Sequence, residues 1–174
     1  MGIRKFCIAA AMASVVVPGA ATAASVPASR DSDGRALILV PLKITKIDDL
    51  DFGSMIASGT SGTVALNPTT SARTFAGGVI GVPSQAGHRA YFGGAGTGGQ
   101  QVIVVVIPPT QLADGNGDTI DVLALTLDNG GNPIRTIDPV TKTFFVGVGG
   151  ILNIAANQPE GDYSATFQVT ANYQ

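Results

Sequence analysis

Tyr163-Ser164-Ala165-Thr166-Phe167-Gln168-Val169-Thr170-Ala171-Asn172-Tyr173 alternates without a break. Tyr163, Ala165, Phe167, Val169, Ala171 and Tyr173 share one face; Ser164, Thr166, Gln168, Thr170 and Asn172 share the other. A period of two is that of a β-strand, whose successive side chains point to opposite sides of a sheet. The stretch predicts a half-buried strand over residues 163–173 with one wet face.

Upstream, residues 144–154 read as another strand, loosened by Gly147, Gly149 and Gly150. Residues 118–127 alternate, with Ile120, Val122, Ala124 and Thr126 opposite Asp121, Leu123, Leu125 and Leu127. Residues 101–107 form an apolar, β-branched run stopped by Pro108-Pro109, the pattern of a strand buried on both faces. Residues 63–66, 74–82 and 89–92 are shorter strands, and Asp49-Leu50-Asp51-Phe52-Gly53 closes the first unit. That unit opens with an extended segment over residues 35–47, where Ala36, Ile38 and Val40 face one way and Leu37 and Leu39 the other. Pro41 within it favours an edge position or a break between two strands. Lys43 and Lys46 suit protection of such an edge. No window beyond the N-terminal segment has a helical period, and there is no internal repeat. Short strands separated by Gly, Pro, Asn and Asp turns imply an all-β fold, an Ig-like antiparallel β-sandwich in one domain over residues 35–174.

The composition agrees. The 174 residues include 23 Gly and 10 Pro, with 45% hydrophobic and only 13% charged residues. That balance excludes a disordered chain or a charged coiled coil. Acids outnumber bases and give a net charge of -2, which argues against nucleic-acid binding. Arg4-Lys5, an apolar stretch over residues 6–17 and Ala21-Thr22-Ala23 form the three parts of a secretory signal peptide over residues 1–23. Its apolar part is too short to span a membrane. It also holds Cys7, the only cysteine, so the exported chain would fold without a disulfide. Residues 24–34 read as a flexible leader. The expected location is the periplasm, the cell surface or the extracellular space.

Chemistry finds little to build on, and no enzyme is expected. The single histidine, His88, sits in a turn, and no G-x-S-x-G elbow occurs. Glu160, the only Glu, lies in the turn before the last strand, where a solvated role outweighs that of a glycosidase acid. Gly94-Ala95-Gly96-Thr97-Gly98-Gly99 fits G-x-G-x-x-G literally, but it leads into a strand rather than the helix that such a phosphate site requires. Asp114, Asn116 and Asp118 have the alternating oxygens of a calcium loop. Thr119 and Leu125 occupy the Gly and Glu positions of an EF-hand, leaving only a weak metal candidate. Asp48, Asp49 and Asp51 form an acidic surface cluster. No cofactor is expected.

Three segments together resemble a secreted bacterial family. They are Pro41-Leu42-Lys43-Ile44-Thr45 with Asp49-Leu50-Asp51-Phe52-Gly53; Gly62-Thr63-Val64-Ala65-Leu66-Asn67-Pro68; and Gly150-Ile151-Leu152-Asn153-Ile154 leading through Gly161-Asp162-Tyr163 into the last strand. The pattern resembles the domain of unknown function 4402. That family in turn is similar to chaperone-usher pilins and spore-coat-U-like subunits, incomplete Ig-like domains completed by a neighbour's N-terminal strand. The resemblance implies a structural subunit of a surface fibre or coat, served by a periplasmic chaperone and an outer-membrane usher. Residues 33–40 would be the donor, with Ala36, Ile38 and Val40 inserting. Tyr163, Ala165, Phe167, Val169, Ala171 and Tyr173 would line the groove, and Tyr173 would match the aromatic that a chaperone reads. The residues leave open a self-completed sandwich, and the competing reading is a monomer binding a ligand such as a glycan.

Overall fold

The computed structural model describes residue 30 and residues 33–174. The signal peptide expected over residues 1–23 and the leader expected over residues 24–34, apart from residues 30, 33 and 34, lie outside the described residues. Twelve strands follow one another: β1 (Lys43–Asp48), β2 (Met55–Ile56), β3 (Gly62–Leu66), β4 (Arg73–Gly77), β5 (Ile80–Gly81), β6 (Ala90–Ala95), β7 (Gln101–Ile107), β8 (Gln111–Ala113), β9 (Thr119–Leu127), β10 (Ile134–Thr136), β11 (Thr143–Ile154) and β12 (Gln168–Tyr173). No α-helix occurs among the described residues, and no helix is long and apolar enough to cross a membrane.

The fold is an all-β, sandwich-like arrangement in which every strand pairing is antiparallel. A seven-stranded sheet runs β1-β6-β11-β3-β4, with β9 on β11 and β8 on β9. A three-stranded sheet runs β10-β7-β12, and β2 and β5 make a small ribbon. The twelve-residue β11 is the axis. It pairs with β6 through residues 143–148, with β3 through residues 150–154 and with β9 through residues 148–153. Residues 150–153 have partners in both β3 and β9, so those two strands flank β11 on opposite sides. Gly149 lets the chain at Leu66 and Pro68 come close: a Cβ there would lie 2.1 Å from the Leu66 carbonyl oxygen. The glycines that looked like loosening in the sequence are close-packing positions.

One face of β11 feeds two core clusters. Phe144, Val146 and Val148 join Ala90, Phe92, Val102, Val104 and Ile137 in the first. Leu152 and Ile154 join Phe52, Val64, Leu66, Val79 and Ile120 in the second. Full burial of such side chains contributes roughly 1.5–3 kcal/mol each. The buried guanidinium of Arg135 on β10 ties the sheets together. It pairs with Asp128 and donates to the Phe145 carbonyl at 3.3 Å.

Three expectations from the sequence need correction. The run at 101–107 is buried on one face only: Val102 and Val104 are inside, while Val105 and Ile107 are exposed. Strand β9 does not keep one phase. Ala124 opposes Ile151 and Val122 opposes Leu152, so Leu123 is an extra, bulged residue. Beyond the bulge the inward residues become Leu125 and Leu127, which reach the first cluster, while Ile120 and Val122 reach the second. Finally, the extended segments at 35–47 and 163–173 are strands only over Lys43–Asp48 and Gln168–Tyr173.

Candidate functional site

The two clusters are covered differently. The small sheet lies over the first through Val102 and Val104 of β7 and Val169, Ala171 and Tyr173 of β12. It contributes nothing to the second, which residues 50–57 and Tyr163 cover instead. Between those two covers opens a cleft of about 1000 Å³. Leu50, Phe52, Met55 and Ala57 form one wall, and Tyr163, Ala165 and Phe167 the other. Ile120, Val122, Leu125, Leu152 and Ile154 lie between them, and Asp51, Glu160 and Asp162 add acidic groups.

Both walls are fixed from behind. The Asp51 and His88 backbones exchange hydrogen bonds of 2.9 and 2.8 Å, and the Ser54 N–H donates to the Gln85 carbonyl at 3.0 Å. The Arg73 guanidinium donates to the carbonyls of Phe52 (2.9 Å), Ser54 (3.0 Å) and Val82 (2.9 Å). On the other wall, Ser164 exchanges backbone bonds of 2.9 and 3.0 Å with Ala113. The Tyr163 hydroxyl donates to the Pro159 carbonyl at 2.8 Å and accepts from Gln158 Nε2 at 3.0 Å. Strand β12, which continues from this wall, pairs with β7 alone, so its other edge carries no strand among the described residues. An unpaired edge of this kind is a template for a further strand.

The second half of the site is the segment before β1. Residues 33–42 belong to no strand. Leu37, Ile38 and Val40 are 68%, 91% and 57% exposed, and Ala36 is exposed too. Four consecutive aliphatic residues, Leu37 to Val40, thus lie outside any strand, with Leu39 half-buried and the other three exposed. The six residues expected on one face of the last strand divide. Tyr163, Ala165 and Phe167 line the cleft, whereas Val169, Ala171 and Tyr173 are on β12 over the first cluster.

The remaining candidates have local work. Burial pushes the Asp114 carboxyl up, but N–H donors from Asn116, Asp118 and Gly117 and the Asn116 side chain together bring it below its ordinary value. Both Asp114 oxygens therefore close the loop through Asn116 and Asp118. Among the described residues, no three His, Cys, Asp or Glu side chains cluster closely enough to hold a metal. Asp49 pairs with Lys46 at 2.6 Å on the surface. His88 has only a 3.3 Å contact from Nδ1 to the Arg89 carbonyl, and Glu160 lines the cleft. The glycine-rich segment begins inside β6 and leads into β7. Leu50, Phe52, Met55, Ile120 and Leu152 line the cleft without standing among the site residues expected from sequence. The alternation of Leu50 and Phe52 in Asp49-Leu50-Asp51-Phe52-Gly53 was the available signal.

The model of one family, described as domain of unknown function (DUF4402), matches residues 42–173. The chain belongs to this family. The match spans β1 to β12 and begins just after the apolar segment of residues 36–40. No curated protein and no solved structure matches this DUF4402 chain.

Proposed function

We propose that this DUF4402 protein is a non-catalytic structural subunit of a secreted fibre or coat, and that it assembles by β-strand donation. The arm over residues 33–40 of one copy fills the cleft of the next and pairs with the free edge of β12. One observation carries the reading: a single chain holds both a largely exposed aliphatic run that belongs to no strand and an open cleft with an apolar floor and polar rim. A head-to-tail interface of this kind does not close on itself and propagates as a filament. Export, with a periplasmic chaperone holding the cleft before an outer-membrane usher orders assembly, is part of the same proposal.

The energetics make the interface sensitive. Burying each aliphatic side chain of the arm yields roughly 1.5–3 kcal/mol. Ordering each arm residue costs roughly 1–2 kcal/mol of backbone entropy. These terms nearly cancel, so the ladder to β12 decides the outcome and one charged residue in the arm is enough to stop assembly. Ile38→Asp changes a side chain that is already 91% exposed in the free subunit, so the fold should be untouched. By light scattering, the wild-type protein is expected to form concentration-dependent multimers and the variant to remain monomeric with an unchanged melting temperature. Equal multimer content in both overturns the proposal. A wild-type protein that stays monomeric at every concentration also overturns it and leaves the cleft to a ligand such as a glycan.

A further inference from the structure

The arm leaves the body through a closed ring of three hydrogen bonds. The Val40 N–H donates to Thr97 Oγ1 at 2.8 Å. The Thr97 N–H donates to the Tyr173 hydroxyl oxygen at 2.8 Å. The Tyr173 hydroxyl donates to the Val40 carbonyl at 2.7 Å. The Tyr173 ring packs on the first core cluster, so the ring of bonds stands on the rigid half of the molecule. Gly96 makes room for it, since a Cβ there would lie 2.5 Å from the Tyr173 hydroxyl and 2.8 Å from Leu42 Cδ1. Pro41 follows at once and has no N–H to offer a ladder.

We propose that Val40 is the fixed root of the arm, held by Thr97 and Tyr173, and that only residues before it pass to a neighbouring copy. This rests on the donation reading and sharpens it. A strand entering a neighbour's sheet needs its N–H and C=O groups free to pair, and both of those on Val40 are engaged by its own body. Leu39 is then the last exchangeable residue, and Val40 moves from the inserting face to the anchor. Tyr173 becomes an internal pin whose hydroxyl both donates and accepts, a role distinct from that of an aromatic displayed to a chaperone. The glycine-rich segment supplies the close approach that lets the pin reach the backbone.

Amide hydrogen exchange on the full chain separates this inference from the one it rests on. In the free subunit the Val40 and Thr97 amides are expected to exchange at least tenfold more slowly than those of Leu37, Ile38 and Leu39. Thr97→Val removes the acceptor at constant shape and should release the Val40 amide. Tyr173→Phe keeps the ring and should release the Thr97 amide. Gly96→Ala should weaken both. Upon assembly the Leu37 to Leu39 amides should slow while Val40 stays as it was. If Val40 exchanges as fast as Leu37 in the free wild-type subunit, or if neither substitution changes it or Thr97, the anchor is wrong. If the anchor amides behave as stated but no condition protects Leu37 to Leu39, donation fails while the anchor stands.

Discussion

The first and second core clusters share one strand, β11, yet they have different fates. Around Val146 the large sheet meets the small one, and Val102, Val104, Val146 and Val148 are each at most 1% exposed. Around Leu152 the large sheet is also well buried, but what covers it is residues 50–57, in which only the two-residue β2 is strand, and the stretch at Tyr163, with a cleft between them. The residue types differ little: the buried residues are Ala, Val, Ile and Phe in the first region and Val, Leu, Ile and Phe in the second. What differs is the number of strands available to cover them. The small sheet covers one end of the large sheet, while a cleft opens over the other and Leu37, Ile38 and Val40 stay exposed.

That comparison is sharpened by matched truncations. Ile137→Ala, in the closed half with no exposure, should cost about 2–5 kcal/mol in urea unfolding, independent of assembly. Met55→Ala, on the half-buried cleft wall, should cost clearly less in the free subunit. Its cost should grow when the protein is assembled, because only then is the wall fully covered. Equal costs for the two substitutions in the free subunit would erase the distinction between the halves.

A smaller effect reads the closed half through pH. The Thr141 and Val140 N–H groups, each 2.8 Å from Asp138 Oδ1, hold the Asp138 carboxyl below its ordinary value despite some desolvation. A depressed folded value contributes stability that is complete above the unfolded value, near pH 4, and is lost as the pH falls through the folded one. Asp138→Asn should therefore lower stability modestly at neutral pH and flatten the decline below about pH 4, so that the two proteins converge in acid. An unaltered acid limb in thermal melts would remove Asp138 from that account.

The sequence carried the architecture better than the assembly of parts. Alternation and turn residues were enough for an all-β sandwich, and nine of the twelve strands overlap runs read from the pattern alone. Periodicity reports which side chains share a face, and it does not report whether a partner strand exists. Residues 163–167 alternate as well as residues 168–173, but only the latter have β7 beside them. Residues 35–42 fail as a strand for the same reason. The β9 bulge escaped because one inserted residue shifts the phase without disturbing composition. The ring around Val40 could not be read at all, since its partners lie 57 and 133 residues away.

The central claim is that one copy's arm completes another copy's cleft, and an SDS gel of native cell-surface extract, run unboiled and boiled and probed for this protein, tests it most directly. An inserted strand leaves only when the subunit unfolds, so the account predicts a ladder of multimers that collapses to a single band on boiling. A lone monomer band in both lanes would contradict it.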